Sequence, residues 1–556
     1  MFPPKSLDDQ LQKQNREAEE KDAKRRAKKY GLDYLDLIST KTPTEIKAME
    51  LVPEEDAKAA LLVPIQLVRK ILVVAAFDPN EEKAKKIIDA LKEKFAVKVA
   101  IVSLTGLKHA WDYYQYVSVQ KEISGRVDID EEKIIEAQGK VKDLNDLTND
   151  IKNFQSPYTS QVLEIILSGA MALRASDIHL EPNERFGVLR LRVDGLLHVA
   201  YSELNLLIYK SIITRIKLLS NLKLNIQDRP QDGRFTISLK DRLIEIRTSI
   251  IPSEYGETTV LRILDPISLK TNLEDLGWRE DDLAITETEI RKPNGLILNT
   301  GPTGSGKTTT LYAFLRKVSR PEIKIITVED PIEYHLAGIS QTQVDQSAGY
   351  TFASGLRSIL RQDPNVILVG EIRDKETAEI ALNASLTGHL VFSTLHTNDA
   401  VGAIPRLLDL GIQTNVLGPS LSLIIAQRLV RRLCPECKIK VEIDSGFKEK
   451  IEKFLSALPA RVSKKDYLKY QIYKPAGCNK CGHLGYKGRV SIFELLRVDE
   501  KMETEIYKNP TEIELKKLAE EQGMVTMQED GVLKALLGIT SLEEVERLTG
   551  EIFWGK

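Results

Sequence analysis

The sequence predicts a multidomain α/β protein whose largest domain is built on a mostly parallel sheet. Its 556 residues are too many for one hydrophobic core and indicate about three or four domains. In the second half of the chain, apolar runs alternate with helix-like segments, which is typical of parallel sheets. Four of these runs end at polar residues: GLILNT, IKIITVED, NVILVGE and HLVFSTLH.

Composition narrows the class of protein. Lys and Arg total 79 and Asp and Glu total 81, so the chain has no net positive charge that would attract nucleic acid. We therefore expect no nucleic-acid partner. The sequence contains no apolar run long enough for a membrane span, and its start, MFPPKSLDDQ, lacks the basic-then-apolar pattern of a signal peptide. We therefore expect a cytoplasmic protein.

The first part of the chain contains three segments of different composition. Residues 1–29 are mostly charged, Gln and Ala, so we expect a charged arm, helical or disordered, that is solvated rather than packed. Residues 30–118 contain an apolar strand pair, an amphipathic helix and another strand, which predict a small N-terminal α/β domain. Residues 119–155 are charged and poor in aromatic residues, as is typical of a linker.

Residues 156–272 predict a second N-terminal domain, of the α+β class. The helix-like QVLEIILSGAMALRA precedes GVLRLRVDGLLHVA, in which apolar and polar residues alternate as in a half-buried strand. Another helix-like segment and the strand-like GRFTISL and LIEIRTSII follow. The remaining residues, 273–556, carry the chemical motifs and end in segments of helical periodicity.

A glycine loop in this last region predicts nucleotide binding. GPTGSGKT follows the apolar GLILNT and precedes a helix-like segment, so strand, loop and helix come in the order that binds phosphates. The backbone N–H groups of such a loop and the positive end of its helix attract a di- or triphosphate. Lys307 is expected to reach the outer phosphates, and the Thr308 hydroxyl to bind Mg²⁺. The predicted ATP-binding residues are Gly301, Pro302, Thr303, Gly304, Ser305, Gly306, Lys307 and Thr308.

Carboxylates and histidines that close the other apolar runs are the catalytic candidates, because ligands of parallel sheets lie beyond the carboxyl ends of the strands. Glu371 ends one run and is predicted to hold Mg²⁺ opposite Thr308. In EDPIEY, Glu333 is the first candidate for activating the attacking water and Glu329 the second. His389 and His396 bracket the last run and are predicted to face the γ-phosphate; the alternative for each catalytic candidate is an ordinary salt-bridged, exposed or core side chain. These candidates are Glu333, Glu371, Glu329, His389 and His396.

All four cysteines fall into two Cys-x-x-Cys pairs, Cys434/Cys437 and Cys478/Cys481. Four thiolates are a natural tetrahedral set for Zn²⁺, and four protein ligands leave no open position, so we predict a structural zinc site in a subdomain at about residues 430–490. A redox role would need only one pair and would leave the other unexplained.

Taken together, the motifs resemble those of the secretion ATPase superfamily of type II secretion and type IV pilus motors. GPTGSGKT, VEDPIEY, ILVGEIRD and TGHLVFSTLHTND resemble that family's nucleotide-site boxes and occur in the same order. SDIHLEP, RVDG and RPQDGRF are similar to its second N-terminal domain, and CPEC with CNKCGHLGYKGRVSIFELL resembles the metal-bearing region of its assembly-type members. The resemblance extends from about residue 156 to the end of the chain.

The resemblance implies a RecA-like ATPase domain preceded by a PAS-like module, in a homo-hexamer that hydrolyses ATP. It implies that Arg234 and Arg247 of that module complete the site by stabilising charge on the transferred phosphoryl group. It also implies an inner-membrane platform protein as partner and a peripheral position at the inner face of the cytoplasmic membrane. Retraction-type members lack the four-cysteine insertion, so the resemblance favours an extension-type motor that assembles a type IV pilus or related filament.

Three alternatives stay open on the sequence. The chain could be a type II secretion ATPase that drives pseudopilus assembly, since the motifs do not separate the two systems. A nucleic-acid translocase is disfavoured by the balanced charge and the lack of a basic-aromatic stripe. A nucleotide-bound structural subunit without turnover is disfavoured by the intact set Lys307, Thr308, Glu333 and Glu371.

Overall fold

The computed structural model describes residues 7–38, 44–114, 117, 126–128, 136, 139–153, 159–239, 243–266 and 271–554. The chain divides into two compact units, Met1–Asp265 and Pro266–Lys556. Within the described ranges, no helix combines the length and the apolar character needed to cross a membrane.

The first sheet of unit one contains four strands in the order β1-β4-β3-β2. Strands β1, β4 and β3 are parallel and β2 is antiparallel. The strands are β1 (Asp33–Tyr34), β2 (Leu62–Val68), β3 (Ile71–Ala76) and β4 (Ala96–Ile101). The helices of this α/β module are Ile46–Met49, Glu54–Ala59, Glu82–Lys92 and Leu104–Trp111.

The charged arm forms a helix, Leu7–Tyr30, that packs against this module. Ala23 and Ala27 are buried, and Arg26 Nη2 donates to the Val102 carbonyl at 3.1 Å. The expectation of a solvated arm was therefore wrong for the second half of the helix. Two small residues one turn apart let the helix approach closely, and buried carbonyls satisfy the arginine charge, so few large apolar residues are needed.

The second sheet of unit one contains seven strands in the order β5-β9-β10-β11-β6-β7-β8, antiparallel apart from the β5–β9 pair. Buried and more exposed residues alternate along β7, as the sequence predicts for a half-buried strand. The strands are β5 (Arg126–Asp128), β6 (Ala175–Pro182), β7 (Phe186–Val193), β8 (Leu196–Asn205), β9 (Gln231–Ser238), β10 (Leu243–Ser253) and β11 (Gly256–Leu264). The accompanying helices are Leu144–Asn153, Thr159–Ala172 and Leu206–Leu219.

Unit two is built around a seven-stranded sheet in the order β14-β13-β15-β16-β12-β17-β20, in which only the β17–β20 pair is antiparallel. The four apolar runs form β12, β13, β15 and β16, so the predicted parallel-rich sheet is confirmed. Every residue of these four strands is buried, as expected for a sheet covered on both faces. The strands are β12 (Gly295–Thr300), β13 (Ile325–Glu329), β14 (Ser340–Gln343), β15 (Val366–Val369), β16 (Leu390–Leu395), β17 (Leu421–Leu433) and β20 (Tyr486–Arg497).

Between β17 and β20 the chain makes an excursion that contains a two-stranded ribbon, β18 (Ile439–Lys440) and β19 (Tyr473–Lys474). The α-helices of unit two are Glu280–Glu289, Lys307–Val318, Phe352–Ile359, Lys375–Leu386, Ala403–Asp409, Thr414–Ser420, Ser445–Ala457, Glu500–Tyr507, Glu512–Glu521, Met527–Leu536 and Leu542–Thr549.

Candidate active site and metal centre

The glycine loop joins the carboxyl end of β12 to the helix Lys307–Val318. Gly304 (φ 79°) and Gly306 (φ 92°) lie in the left-handed region, which glycine adopts without strain. Lys307 Nζ donates to the carbonyls of Gly301 at 2.7 Å and Pro302 at 3.2 Å. The ammonium is thus held at the loop, beside the helix N-terminus whose N–H groups favour anions.

Glu371 and His396 lie at the same edge of the sheet as Lys307. His396 Nε2 lies 3.6 Å from a carboxylate oxygen of Glu371, and Arg373 forms an ion pair with that carboxylate at 2.5 Å. Burial lowers the pKa of Lys307, and the Glu371 charge opposes that shift. Burial and then the Lys307 charge lower the pKa of His396, which favours its neutral form. The structure therefore brings together the predicted Lys307, Glu371 and His396.

The two candidate bases occupy different surroundings. Glu329 is 4 % exposed, and its carboxylate accepts hydrogen bonds from Tyr312, from Thr327 at 2.5 Å and from Gln341 at 3.2 Å. Burial beside Glu329 raises the pKa of Tyr312, so the phenol keeps its proton and donates it. Glu333, in the loop after β13, is half-buried. Glu333 is thus the less enclosed of the two carboxylates, although its Oε2 atom is buried.

His389 does not lie at this edge, contrary to its expected place facing the nucleotide. It precedes β16, and its Nδ1 donates to the Ala384 carbonyl at 3.0 Å. Strands β12 and β16 run parallel with Gly295 opposite Leu390, so His389 lies at the end of the sheet away from the glycine loop. The two histidines flank one strand in the sequence. Residues before and after a strand lie at its opposite ends, so only one of the two histidines can lie at the carboxyl end, near the glycine loop.

Gln427 contacts the glycine loop and was not singled out in the sequence. It lies on β17 and is fully buried, and its Nε2 donates to the Ser305 carbonyl at 2.7 Å. The available signal was a polar amide inside the apolar run LSLIIAQRLV, where a buried polar group needs partners.

Arg234 and Arg247 face each other across strands β9 and β10 of unit one. Both lie near Glu245, at 3.6 Å and 3.2 Å from its carboxylate oxygens, and the Arg234 side chain is 71 % exposed. The same transverse row of the sheet continues through Arg262 to Asp177, which accepts from Arg262 Nε at 2.9 Å. Directly paired residues of antiparallel strands share a face, so this face presents a row of guanidinium groups.

The four cysteines converge in the excursion between β17 and β20. All are free, and their sulfur atoms lie within 4.8 Å of one another, with contacts of 3.8 Å and 3.9 Å. Four sulfurs bound tetrahedrally at about 2.3 Å from a Zn²⁺ ion lie about 3.8 Å apart. Backbone N–H groups of Gly477 and Gly485 point at Cys437 and Cys481 sulfurs, each at 3.3 Å, as befits thiolate ligands. The donor set and its spacing fit a tetrahedral metal ion.

Comparison with known proteins assigns these features to a family. The family model described as type II/IV secretion system protein matches residues 154–547. The chain belongs to that family. It is 45 % identical over 391 residues to the type II secretion system protein E of Dickeya dadantii, which covers 70 % of this chain and 76 % of that protein. It is 36 % identical over 525 residues to the type IV pilus assembly ATPase PilB of Myxococcus xanthus, which covers 93 % of this chain and 89 % of that protein.

Among solved structures, the fold is similar to that of the Legionella pneumophila ATPase DotB. That match has a TM-score of 0.51 at 22 % identity and covers 71 % of this chain and 97 % of DotB. Family membership and the glycine-loop geometry identify the chain as a P-loop ATPase and confirm the predicted enzyme class.

Proposed function

We propose that this ATPase uses ATP hydrolysis to assemble a type IV pilus, or a related filament, through an inner-membrane platform protein. One observation carries the choice of system. The similarity to the pilus assembly ATPase extends over 93 % of this chain, whereas the type II secretion relative matches 70 % of it. The extra length includes residues before the family match at 154, where a motor specific to one system would bind its own partners.

The loop geometry supports a division of labour in hydrolysis. Lys307 neutralises charge on the outer phosphates, and Glu333 orients the attacking water. Thr308 and Glu371 would hold Mg²⁺, which when bound supplies further positive charge to the phosphates. His396, beside Glu371, contacts the γ-phosphate and senses its loss.

The arginine row of unit one supports a further part of the proposal. Arg234 and Arg247 stabilise the charge that develops on the transferred phosphoryl group, at the subunit interfaces of a homo-hexameric ring. Their removal should spare most nucleotide binding and reduce hydrolysis strongly, because their contribution arises in the transition state.

We also propose that Cys434, Cys437, Cys478 and Cys481 bind a structural Zn²⁺, and that the protein acts in the cytoplasm at the inner face of the membrane. The sulfur tetrahedron supports the metal. The location follows from the platform partner.

A type II secretion motor is the second candidate, because that relative is 45 % identical over the 391 residues it matches, whereas the pilus assembly relative is 36 % identical over 525 residues. A Lys307→Ala allele in the source organism separates the two. Loss of surface filaments with normal protein secretion supports the pilus, whereas loss of secretion with intact pili supports the alternative.

Turnover by purified protein tests the enzyme itself. Lys307→Ala should abolish phosphate release, since the charge that holds the outer phosphates is lost, while the cysteine region stays folded. Lys465→Ala, an exposed lysine of the same unit, is the matched control and should hydrolyse ATP normally. Equal activity in Lys307→Ala would refute the assigned role, and steep, salt-sensitive stimulation by single-stranded DNA would favour a translocase.

A further inference from the structure

Gln427 is hydrogen-bonded to the glycine loop and to the residues on both sides of it. Its side chain is fully buried, and it lies 122 residues from Ser305 in sequence. Its Nε2 donates to the Ser305 carbonyl at 2.7 Å, and its Oε1 accepts from Asn299 Nδ2 and Thr310 Oγ1, each at 2.8 Å. One amide thus ties together the strand before the loop, the loop itself and the helix after it.

The chemistry of the partners fixes the orientation of this amide. A carbonyl oxygen such as that of Ser305 can only accept, so the NH₂ group must face it. The Oε1 atom then faces two donors, Asn299 and Thr310. The amide donates at one atom and accepts at the other, so neither an ionised Glu nor Leu can replace Gln427.

The loop is also packed tightly against Gln427. A Cβ atom at Gly306 would lie 2.8 Å from Gln427 Nε2, and one at Gly301 would lie 2.6 Å from the Gln427 carbonyl oxygen. These two glycines are therefore required by a close approach to β17 as well as by their positive φ angles.

We propose that Gln427 is a positioning residue that holds the glycine loop in its phosphate-binding conformation before nucleotide arrives. A loop that is already ordered binds with its full intrinsic affinity, whereas a loop that is competent only part of the time binds more weakly by that fraction. Once ATP is bound, its phosphates order the loop themselves. Gln427 therefore acts on nucleotide affinity and KM and leaves kcat at saturation nearly unchanged.

Glu and Leu variants test this positioning role. In Gln427→Glu at pH 8, the ionised carboxylate faces the Ser305 carbonyl oxygen, so we expect KM and the dissociation constant for ADP to rise about tenfold. Burial favours the protonated acid, which again offers one donor and one acceptor. The defect should therefore shrink to within about threefold of wild type at pH 6. Gln427→Leu should weaken binding to a similar extent at both pH values.

Gln413→Glu introduces the same charge at an exposed position of the same unit and should behave as wild type. Thr310→Val removes one of the three hydrogen bonds without changing shape, and should raise KM about threefold with unchanged kcat even if both Gln427 variants fold poorly. The proposal is overturned if KM of the Gln427→Glu protein stays at the wild-type value, if its defect is the same at pH 6 and pH 8, or if the loss lies in kcat.

Discussion

Glu329 and Glu333 are close in sequence but have different physical tasks. Three donors converge on the buried carboxylate of Glu329, and they join β13 to the helix that follows the glycine loop and to β14. A buried charge is tolerated when it is hydrogen-bonded in this way. Glu333 lies in the loop beyond β13 and is half-buried, so it is less enclosed than Glu329. The first residue is suited to holding the site together and the second to acting in it.

Replacing each carboxylate by its amide separates these roles. Glu333→Gln should bind ATP normally and lose about 100-fold or more in kcat, since it removes the base. Glu329→Gln should lower thermal stability, because its NH₂ group would face a donor, and reduce activity less. Steady-state kinetics and thermal unfolding measure both. A folded, inactive Glu329→Gln beside a fully active Glu333→Gln would transfer the role of base to Glu329.

The residues that local sequence could identify are those whose chemistry lies in one continuous motif. Lys307 and Thr308 were predictable because the loop and its helix are contiguous. Gln427 was not, because its partners are distant in sequence and only the pairing of β12 with β17 brings them together. His389 shows the opposite error: it is near His396 in sequence, but a strand's length separates the two histidines.

Strands β17 and β20 join the catalytic sheet to the cysteine cluster. Strand β17 ends at Leu433, one residue before Cys434, and the Cys434 N–H donates to the Gly485 carbonyl just before β20. The excursion leaves the sheet after β17 and returns at β20, and these two strands pair antiparallel. The four cysteines lie together next to the point where it leaves and returns. The sequence predicted the four ligands from their spacing, but not that the paired ends of two core strands bring them together, because the pairing of β17 with β20 is non-local.

Removal of one cysteine ligand should release the metal and destabilise the chain segments between β17 and β20. Cys478→Ser should carry less than stoichiometric zinc and unfold several degrees below wild type, since metal binding contributes directly to local folding. Metal analysis with and without chelator, combined with thermal unfolding, measures both effects. Lys480→Ala, exposed in the same turn, is the control and should retain zinc. Wild-type protein without near-stoichiometric zinc would contradict the structural site.

Glu494 of β20 makes the stability of unit two depend on pH. Its buried carboxyl accepts from the backbone N–H groups of Ala400 at 2.8 Å and Met527 at 3.2 Å, and burial raises its pKa from 4.5 to about 7. The folded protein therefore holds this proton more tightly than the unfolded chain. The resulting stabilisation is complete below pH 4.5 and is lost as the pH rises through about 7.

The lost stabilisation is about 3 kcal/mol, since each pKa unit corresponds to about 1.4 kcal/mol. Between pH 5 and pH 8, the free energy of unfolding should fall more in wild type than in Glu494→Gln, which has no proton to lose. Urea unfolding at several pH values measures this difference. Glu521→Gln, an exposed residue, should keep the wild-type dependence. Parallel curves for wild type and Glu494→Gln would show that Glu494 does not titrate in this range.

The whole chain distributes its proposed hydrolytic groups over two compact units. The glycine loop and its carboxylates belong to Pro266–Lys556, and the arginine row to Met1–Asp265. The strand content of both units followed from local patterns, because alternation and buried runs are local. The docking of the N-terminal helix did not, because two alanines and one arginine carry no amphipathic signal in a charged segment.

Two inactive variants should restore activity when they assemble together, if the arginines of one subunit serve the loop of another. Lys307→Ala retains its arginines and Arg234→Ala retains its loop. A co-expressed equal mixture should regain about a quarter of wild-type hydrolysis, because half of the loops are intact and half of their neighbours supply the arginine. Arg185→Ala, exposed in the same unit, replaces Arg234→Ala in the control. No recovery would place the arginines and the loop in the same chain.

The distance in sequence between the glycine loop and Gln427 also affects when the loop can become ordered during synthesis. Ser305 leaves the ribosome 122 residues before Gln427. At about 5–20 residues per second, roughly 6–24 seconds pass before β17 can pair with β12. A nascent chain therefore carries the complete glycine-loop motif without the strand that shapes it. Nucleotide binding should therefore begin late in synthesis, and an incomplete chain should bind ATP weakly.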